Sequence, residues 1–584
     1  MLSSTLRGGQ TALHQWRMWA QLTRQFCLIA FLSMGISMGF FLYQYLHQKD
    51  FYIIQKLAES YAKHHWFPFP EKQSLIYQEL GSTTRRYYRP KTFIESEWAE
   101  FQINRIGQIV YQDLLMSAGV GLFFSLSLGG FWYWRGRKHQ AATFIRGAQK
   151  VPIKALVKQV KQEYRKASLK RAIESVGQLK KPPQPARFRL GNALLPEEFE
   201  YRHTLFCGSP GSGKSQGILE LMDQVRHQKQ KAIVYDIDQA FVPLFYRADK
   251  DIILNPFDNR NANWNLWQDG NDYADFQRMA ESLIPEQSNT GDNFWGQASR
   301  LILASSLEQL KDKNCSTERL LSYLFHEENT ALQDMLKNTM AQQLVSEKLE
   351  KTTLSLKATL ASYCASLNCV KEDLSKPLFS LKHWLTQADD SWLFISTTPD
   401  KKSFLKPLVS LWVDTAIHHV LSLNPDARKA LWFFIDEFSS LHKLPSIMDF
   451  LSRGRKFKGS LVAAVQSLSQ IEATYGPKDS STLIGLFGTL VQHRVGDISS
   501  AQQASKILGN KESLSPQEGL SYGASDTRDG VNIQHQVREE ALVMPSEIMN
   551  LKDLEAFIKI SGNFPISKIH LKYTNRYTHP LTIV

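Results

Sequence analysis

Gly208-Ser209-Pro210-Gly211-Ser212-Gly213-Lys214-Ser215 matches the pattern GxxxxGK[ST]. Its meaning depends on what flanks it. Thr204-Leu205-Phe206-Cys207 is a short apolar run that reads as a buried strand, and residues 216–228 read as a helix. Strand, glycine-rich loop and helix in that order make a P-loop: backbone N–H groups wrap a phosphate chain at a helix N-terminus, whose dipole favours negative charge. A chance glycine-rich turn lacks those flanks. The cofactors implied are ATP and Mg²⁺, held by residues 208–215. Lys214 is expected to reach the β- and γ-phosphates, and the Ser215 hydroxyl to ligate the metal.

Such a loop needs an acidic partner on a neighbouring strand. Leu431-Trp432-Phe433-Phe434-Ile435 is followed by Asp436 and Glu437, two carboxylates at the C-terminal end of an apolar run, where α/β ligand sites form. Asp436 is expected in the Mg²⁺ shell and Glu437 as the general base that polarises the attacking water. Two successive carboxylates point to hydrolysis rather than to a kinase. The next strand, residues 461–465, ends in Gln466, an amide placed to sense the γ-phosphate or orient water; a glutamine simply opening a loop is the plainer alternative. Arg453, Arg455 and Arg494 are candidates for a finger reaching a neighbouring subunit's phosphate. Taken singly, each also reads as a surface or DNA-contacting arginine. Arg494 is preferred, because Leu490-Val491-Gln492-His493 brings it off a strand tip beyond Gln466.

Further out, residues 232–235 and 392–396 are also short apolar runs of the kind that make buried parallel strands. They alternate with helical stretches, which gives an α/β class. Residues 272–382 are helical in pattern throughout and read as an all-α insertion between 191–271 and 383–584. Two strand-like runs, 557–560 and 567–573, joined by Gly562-Asn563-Phe564-Pro565, close the domain.

The chain has 584 residues, enough for several domains, with 43% hydrophobic and 21% charged residues. Residues 26–46 and 114–134 are uncharged and about 20 residues long, the length that crosses a hydrocarbon core. A cleaved signal peptide fits the first poorly, since Gln44-Tyr45-Leu46-His47 follows and not a small-residue cleavage site. Arg7, Arg17 and Arg24 precede the first span, and Arg135, Arg137 and Lys138 follow the second. The positive-inside rule puts both ends in the cytoplasm, with residues 1–25 inside and a small domain, 47–113, outside. Gly35-x-x-x-Gly39, Gly119 and Gly121 allow close helix contact.

The formal charge is +13, and residues 135–189 alone hold sixteen Lys/Arg against two acids. Anionic lipid and DNA fit this basic stretch equally well. Within residues 135–190, Lys180-Lys181-Pro182-Pro183-Gln184-Pro185 reads as a stiff linker. The five cysteines show no metal spacing and read as reduced thiols.

Several stretches together resemble the TraD/TrwB-type coupling proteins of conjugative type IV secretion. They are His203 before the P-loop, Asn255-Pro256-Phe257-Asp258-Asn259-Arg260 with Trp264 and Trp267, Asp292-Asn293-Phe294-Trp295 with Ala298 and Arg300, Asp436-Glu437-Phe438, Gly454-Arg455-Lys456, and Gln466-Ser467. The resemblance covers nearly the whole chain. It implies a RecA-like motor domain carrying an all-α domain, preceded by two transmembrane helices. It further implies a homo-hexamer in the bacterial inner membrane with ATP between subunits and the motor in the cytoplasm. The implied partners are single- or double-stranded DNA, relaxase and relaxosome proteins, membrane lipid and the inner-membrane components of the secretion channel. Asp236-Ile237-Asp238 departs from a turn many members carry, and no long acidic extension follows Val584, which leaves cargo docking open.

Other readings make different demands. A coupling ATPase for protein effectors shares this architecture. A scaffold that binds nucleotide without turnover does not need Lys214, Asp436 and Glu437 intact. An ABC transporter requires an LSGGQ-like run between the P-loop and Asp436, which is absent; a cell-division DNA translocase is expected to carry more spans and a C-terminal winged helix.

Overall fold

The computed structural model describes residues 2–66, 74–79, 82–140, 143–174, 187–286, 293–311, 315–346, 349–373, 375–424, 430–521 and 530–574. They fall into two compact units, residues 1–143 with 514–537, and residues 144–513 with 538–584. Lys180 to Pro185, Asp292 and Val584 lie outside the described residues.

In the first unit two 44-residue helices, Leu2–Tyr45 and Glu97–Gln140, pack along one another. Their stretches Trp19–Tyr45 and Glu97–Arg135 are long and apolar enough to cross a membrane. The first helix extends N-terminal of the uncharged run at 26–46 and ends with it, and the second extends beyond 114–134 on both sides. The polar flanks they continue through contain no proline to stop them. The close approach is at Gly121, where a Cβ would sit 2.7 Å from the Ala30 carbonyl oxygen. Gly35 and Gly39 face open space, so the GxxxG pattern is not what brings these two helices together. Between them lie helix Gln48–His65 and the antiparallel strands Leu75–Gln78 and Arg85–Tyr88. Tyr77, Phe93 and Trp98 form an aromatic cluster with ring centroids 5.3–5.8 Å apart.

The second unit is built on a nine-stranded sheet: β1 (Thr204–Cys207), β2 (Lys231–Asp236), β3 (Ile252–Leu254), β4 (Trp392–Ser396), β5 (Leu431–Ile435), β6 (Gly459–Val465), β7 (Thr489–Gln492), β8 (Glu555–Ile560) and β9 (Ser567–His570). The spatial order is β9-β8-β7-β1-β6-β5-β2-β4-β3. All neighbours pair in parallel except along β8, which runs against both β7 and β9. Both faces are covered, which is why the strands read as unbroken apolar runs. Leu205, Cys207, Phe433 and Ile435 join the core on one side, and Phe206, Trp432 and Phe434 the core on the other. This is the period-two alternation of a strand buried on both faces.

The RecA-like fold with a helical domain is therefore present. The helical elements from Tyr273–Leu283 to Leu381–Thr386 lie between β3 and β4. Buried Asp269 ties the two ends of this insertion together. Its carboxylate accepts from Trp264 Nε1 (2.7 Å) near the entry and from the N–H groups of Leu381 (3.1 Å) and Lys382 (2.9 Å) at the exit.

Part of the basic stretch is helical. Residues 153–174 form one helix, and Leu156, Val160 and Tyr164 bury its inner face in the sheet's second core. The strands Asn510–Ser521 and Gly530–Ala541, with Thr143–Gly147 beside the first, make a separate three-stranded sheet that the sequence reading missed.

Candidate nucleotide site

The loop after β1 closes on itself. Gly211 and Gly213 have φ of +74° and +109°, the left-handed region open to glycine, and Gly213 caps helix Lys214–His227. Ser212 Oγ donates to the Ser209 carbonyl (2.7 Å), and the Ser209 N–H donates to the Arg494 carbonyl (2.8 Å). A Cβ on Gly208 would stand 2.5 Å from His493 Cβ, so the loop passes against β7's end with no room for a side chain.

Lys214 Nζ donates to the carbonyls of Gly208 (2.5 Å) and Ser209 (3.0 Å). Burial pushes its ammonium below the usual lysine range, with Asp436 opposing. Ser215 Oγ lies 3.2 and 3.4 Å from the two Asp436 oxygens. Burial pushes the Asp436 carboxyl up, while the Ser215 hydroxyl and Lys214 hold it down. A hydroxyl and a carboxylate this close, beside an ammonium and a ring of loop N–H groups, fit a magnesium ion on a phosphate chain.

Strand order corrects one expectation. The acidic strand β5 is not next to β1; β6 lies between them. Gln466, at the tip of β6, therefore stands between the P-loop and the carboxylates. Its side chain is exposed, and its N–H donates to Gln470 Oε1 (3.1 Å). Arg494 comes off the tip of β7, which lies on the other side of β1 from β6. Its guanidinium pairs with Asp553 at 3.0 Å. Arg455 pairs with Glu198 at 3.1 Å, and Arg453 is exposed.

Glu437 has a partner that the sequence reading missed: Lys402 Nζ lies 2.8 Å from its Oε2. The only sequence signal was a lysine following a Thr-Pro-Asp turn, which reads as a solvated helix start.

Other residues of the quoted motifs turn out to be scaffold. His203 is buried with Nδ1 accepting from the Leu461 N–H (3.0 Å), and burial pulls its imidazole down to about 4. Asp236 accepts three N–H bonds, from Ala240, Phe241 and Val242, each 2.8 Å. Burial nevertheless pushes it up to about 6. Asn255 braces the turn after β3, receiving no role at the phosphate loop; its Nδ2 donates to Ser396 Oγ at 3.3 Å. Cys207 is buried and its thiol is raised to about 12, so it is inert beside the loop.

The family model for the type IV secretion-system coupling protein DNA-binding domain matches residues 187–572, most of the second unit. This chain belongs to the type IV coupling protein family. The coupling protein TraD of Escherichia coli K12 is 33% identical over 405 residues, 68% of this chain and 56% of TraD. Protein VirD4 of Rhizobium radiobacter is 25% identical over 183 residues, 31% of this chain and 26% of VirD4. The chain thus spans about half of TraD's length or less of these curated relatives. Among solved structures, the conjugative coupling protein TrwB in its unbound monoclinic form superposes with TM-score 0.64 at 28% identity, over 75% of this chain and 95% of that one. TrwB in complex with ADP and Mg²⁺ gives TM-score 0.64 with coverage of 75% and 96%.

Proposed function

We propose that this coupling protein is an ATP-driven DNA translocase of the bacterial inner membrane that passes a relaxase–DNA complex to a type IV secretion channel. The observation that carries the reading is the meeting of Ser215 with Asp436 beside Lys214, with Glu437 next in the chain. TrwB's complexes with ADP and Mg²⁺ and with a non-hydrolysable ATP analogue support it.

In this reading the loop of residues 208–215, through the N–H groups it does not already use internally, and the Lys214 ammonium would hold the phosphates, while Ser215 and Asp436 would hold Mg²⁺. The metal supplies charge neutralisation at the β- and γ-phosphates. Glu437 accepts a proton from the water that attacks the γ-phosphorus as the bond to the ADP oxygen breaks. Gln466, between the loop and Glu437, orients that water. Arg494 acts in trans in a homo-hexamer, which requires it to leave Asp553. The family description names a DNA-binding domain. Helix Ile153–Glu174 offers DNA phosphates or anionic lipid an outer face with Lys154, Lys158, Lys161, Arg165 and Lys166 exposed. Helices Leu2–Tyr45 and Glu97–Gln140 would anchor the chain, with the motor in the cytoplasm and most of residues 47–113 in the periplasm.

The test is binding of fluorescent single- and double-stranded oligonucleotides to the full chain in nanodiscs, across a salt series. Binding that weakens steeply with salt supports the reading. No binding at low salt, with secreted proteins and no relaxase co-purifying, would move the chain to the effector-coupling reading.

A further inference from the structure

Glu437 is held through its backbone by the turn that follows it. Its backbone carbonyl accepts from the Ser440 N–H (3.2 Å) and Ser440 Oγ (2.6 Å), and the same hydroxyl meets the buried Tyr235 phenol at 3.0 Å. That pins the short turn Phe438–Ser440 after β5. The carboxylate itself is engaged by Lys402, the first residue of helix Lys402–Ser422, which follows β4. Lys406 lies one turn along the same helix face, near enough to feel both Lys402 and Glu437. Lys402 thus engages the carboxylate directly, with Lys406 one turn further along the helix, while Ser215 and Lys214 attend its neighbour Asp436.

A general base must present an oxygen to its water. A carboxylate in a charge-assisted hydrogen bond is oriented toward its partner and has part of its charge answered there. We propose that Lys402 is a positioning residue that restrains Glu437 in the resting site, so that hydrolysis is slow until a polyanion draws Lys402 away. This rests on the reading of Glu437 as the base. Lys402 is about one-third exposed (31%), so a phosphodiester chain arriving from solvent can compete for it. An ion pair of that exposure is weak, which is what a reversible restraint requires. The arrangement gives DNA a direct route to the catalytic carboxylate: the phosphates that bind the lysines release the base.

The experiment is steady-state ATP hydrolysis by the full chain in nanodiscs, with and without single-stranded DNA, for the wild type, Lys402→Met, Lys402→Arg and Glu437→Gln. Methionine keeps the stem and removes the charge. Lys402→Met is expected to raise DNA-free kcat roughly two- to five-fold, the scale of a weak pair. KM for ATP should stay within about two-fold, because Lys214 and Ser215 are untouched. Stimulation by DNA should shrink by the same factor. Lys402→Arg should restore the restraint. Lower kcat in Lys402→Met, an unchanged DNA-free rate, or an arginine variant that behaves like methionine would overturn the inference while leaving the ATPase reading in place. No turnover in the wild type under any condition, matching the Glu437→Gln baseline, would sink both.

Discussion

Lys214 Nζ donates to two carbonyls of its own loop, those of Gly208 and Ser209. The loop thus holds its cation where the phosphate chain is expected, and under the proposed reading a bound nucleotide would exchange those carbonyls for phosphate oxygens. Lys214→Ala should cut ATP turnover by ~10²-fold or more, the scale of losing one preformed charge-stabilising donor. The half-buried side chain has no core role, so circular dichroism should be unchanged.

Asp436 faces Ser215 across the intervening strand β6. Asp436→Asn should weaken Mg²⁺-dependent nucleotide binding by about ten-fold or more and change metal-free ADP binding little, because the loop N–H groups remain. Calorimetric titration with and without Mg²⁺ separates the two.

His203 is held neutral by burial, as are His493 and His442, each pulled down to about 4. A folded pKa below the unfolded value of about 6.5 contributes stability that is present above 6.5 and lost as pH falls through 4. His203→Phe leaves the Leu461 N–H without its acceptor, at a cost of about 1–3 kcal/mol at pH 7.5. The gap to wild type should narrow as pH is lowered toward 4.5, since only the wild type loses this contribution. Thermal shift at both pH values checks it.

Asp414 works in the opposite sense. It is fully buried, accepts from Ser446 N–H (2.9 Å) and lies 2.9 Å from Ser282 Oγ, joining the first helix of the insertion to the motor core. Burial raises its carboxyl to about 6. A folded pKa above the unfolded value contributes stability that is full below about 3.9 and lost as pH rises through 6. Asp414→Asn can keep these bonds, because the serine hydroxyls can turn to accept. It should equal or exceed the wild type in melting temperature at pH 8, with the advantage gone near pH 4.5.

The P-loop, the carboxylate pair and the helical insertion were legible because each is a local pattern: a glycine spacing, an apolar run ending in acids, and a change of period. Strand order was not. The runs at 431–435 and 461–465 look alike, and nothing local says that the glutamine strand inserts between the P-loop and the acids. Only parallel pairing of Val462 with Thr204 and of Leu431 with Gly459 does so. Lys402 was invisible because its role depends on a carboxylate 35 residues away. The helix at 153–174 was hidden by charge: Leu156, Val160 and Tyr164 make its apolar stripe, but lysines fill the rest. The two long helices continue past three of the four ends of the uncharged runs, because hydropathy reports where a helix is apolar, not where it stops.

The most direct test is ATP hydrolysis by the full chain with and without single-stranded DNA, beside Lys214→Ala and Glu437→Gln. The account predicts turnover that DNA stimulates several-fold and that both substitutions cut by ~10²-fold or more. Turnover indifferent to DNA at low salt, or surviving in Glu437→Gln, would contradict it.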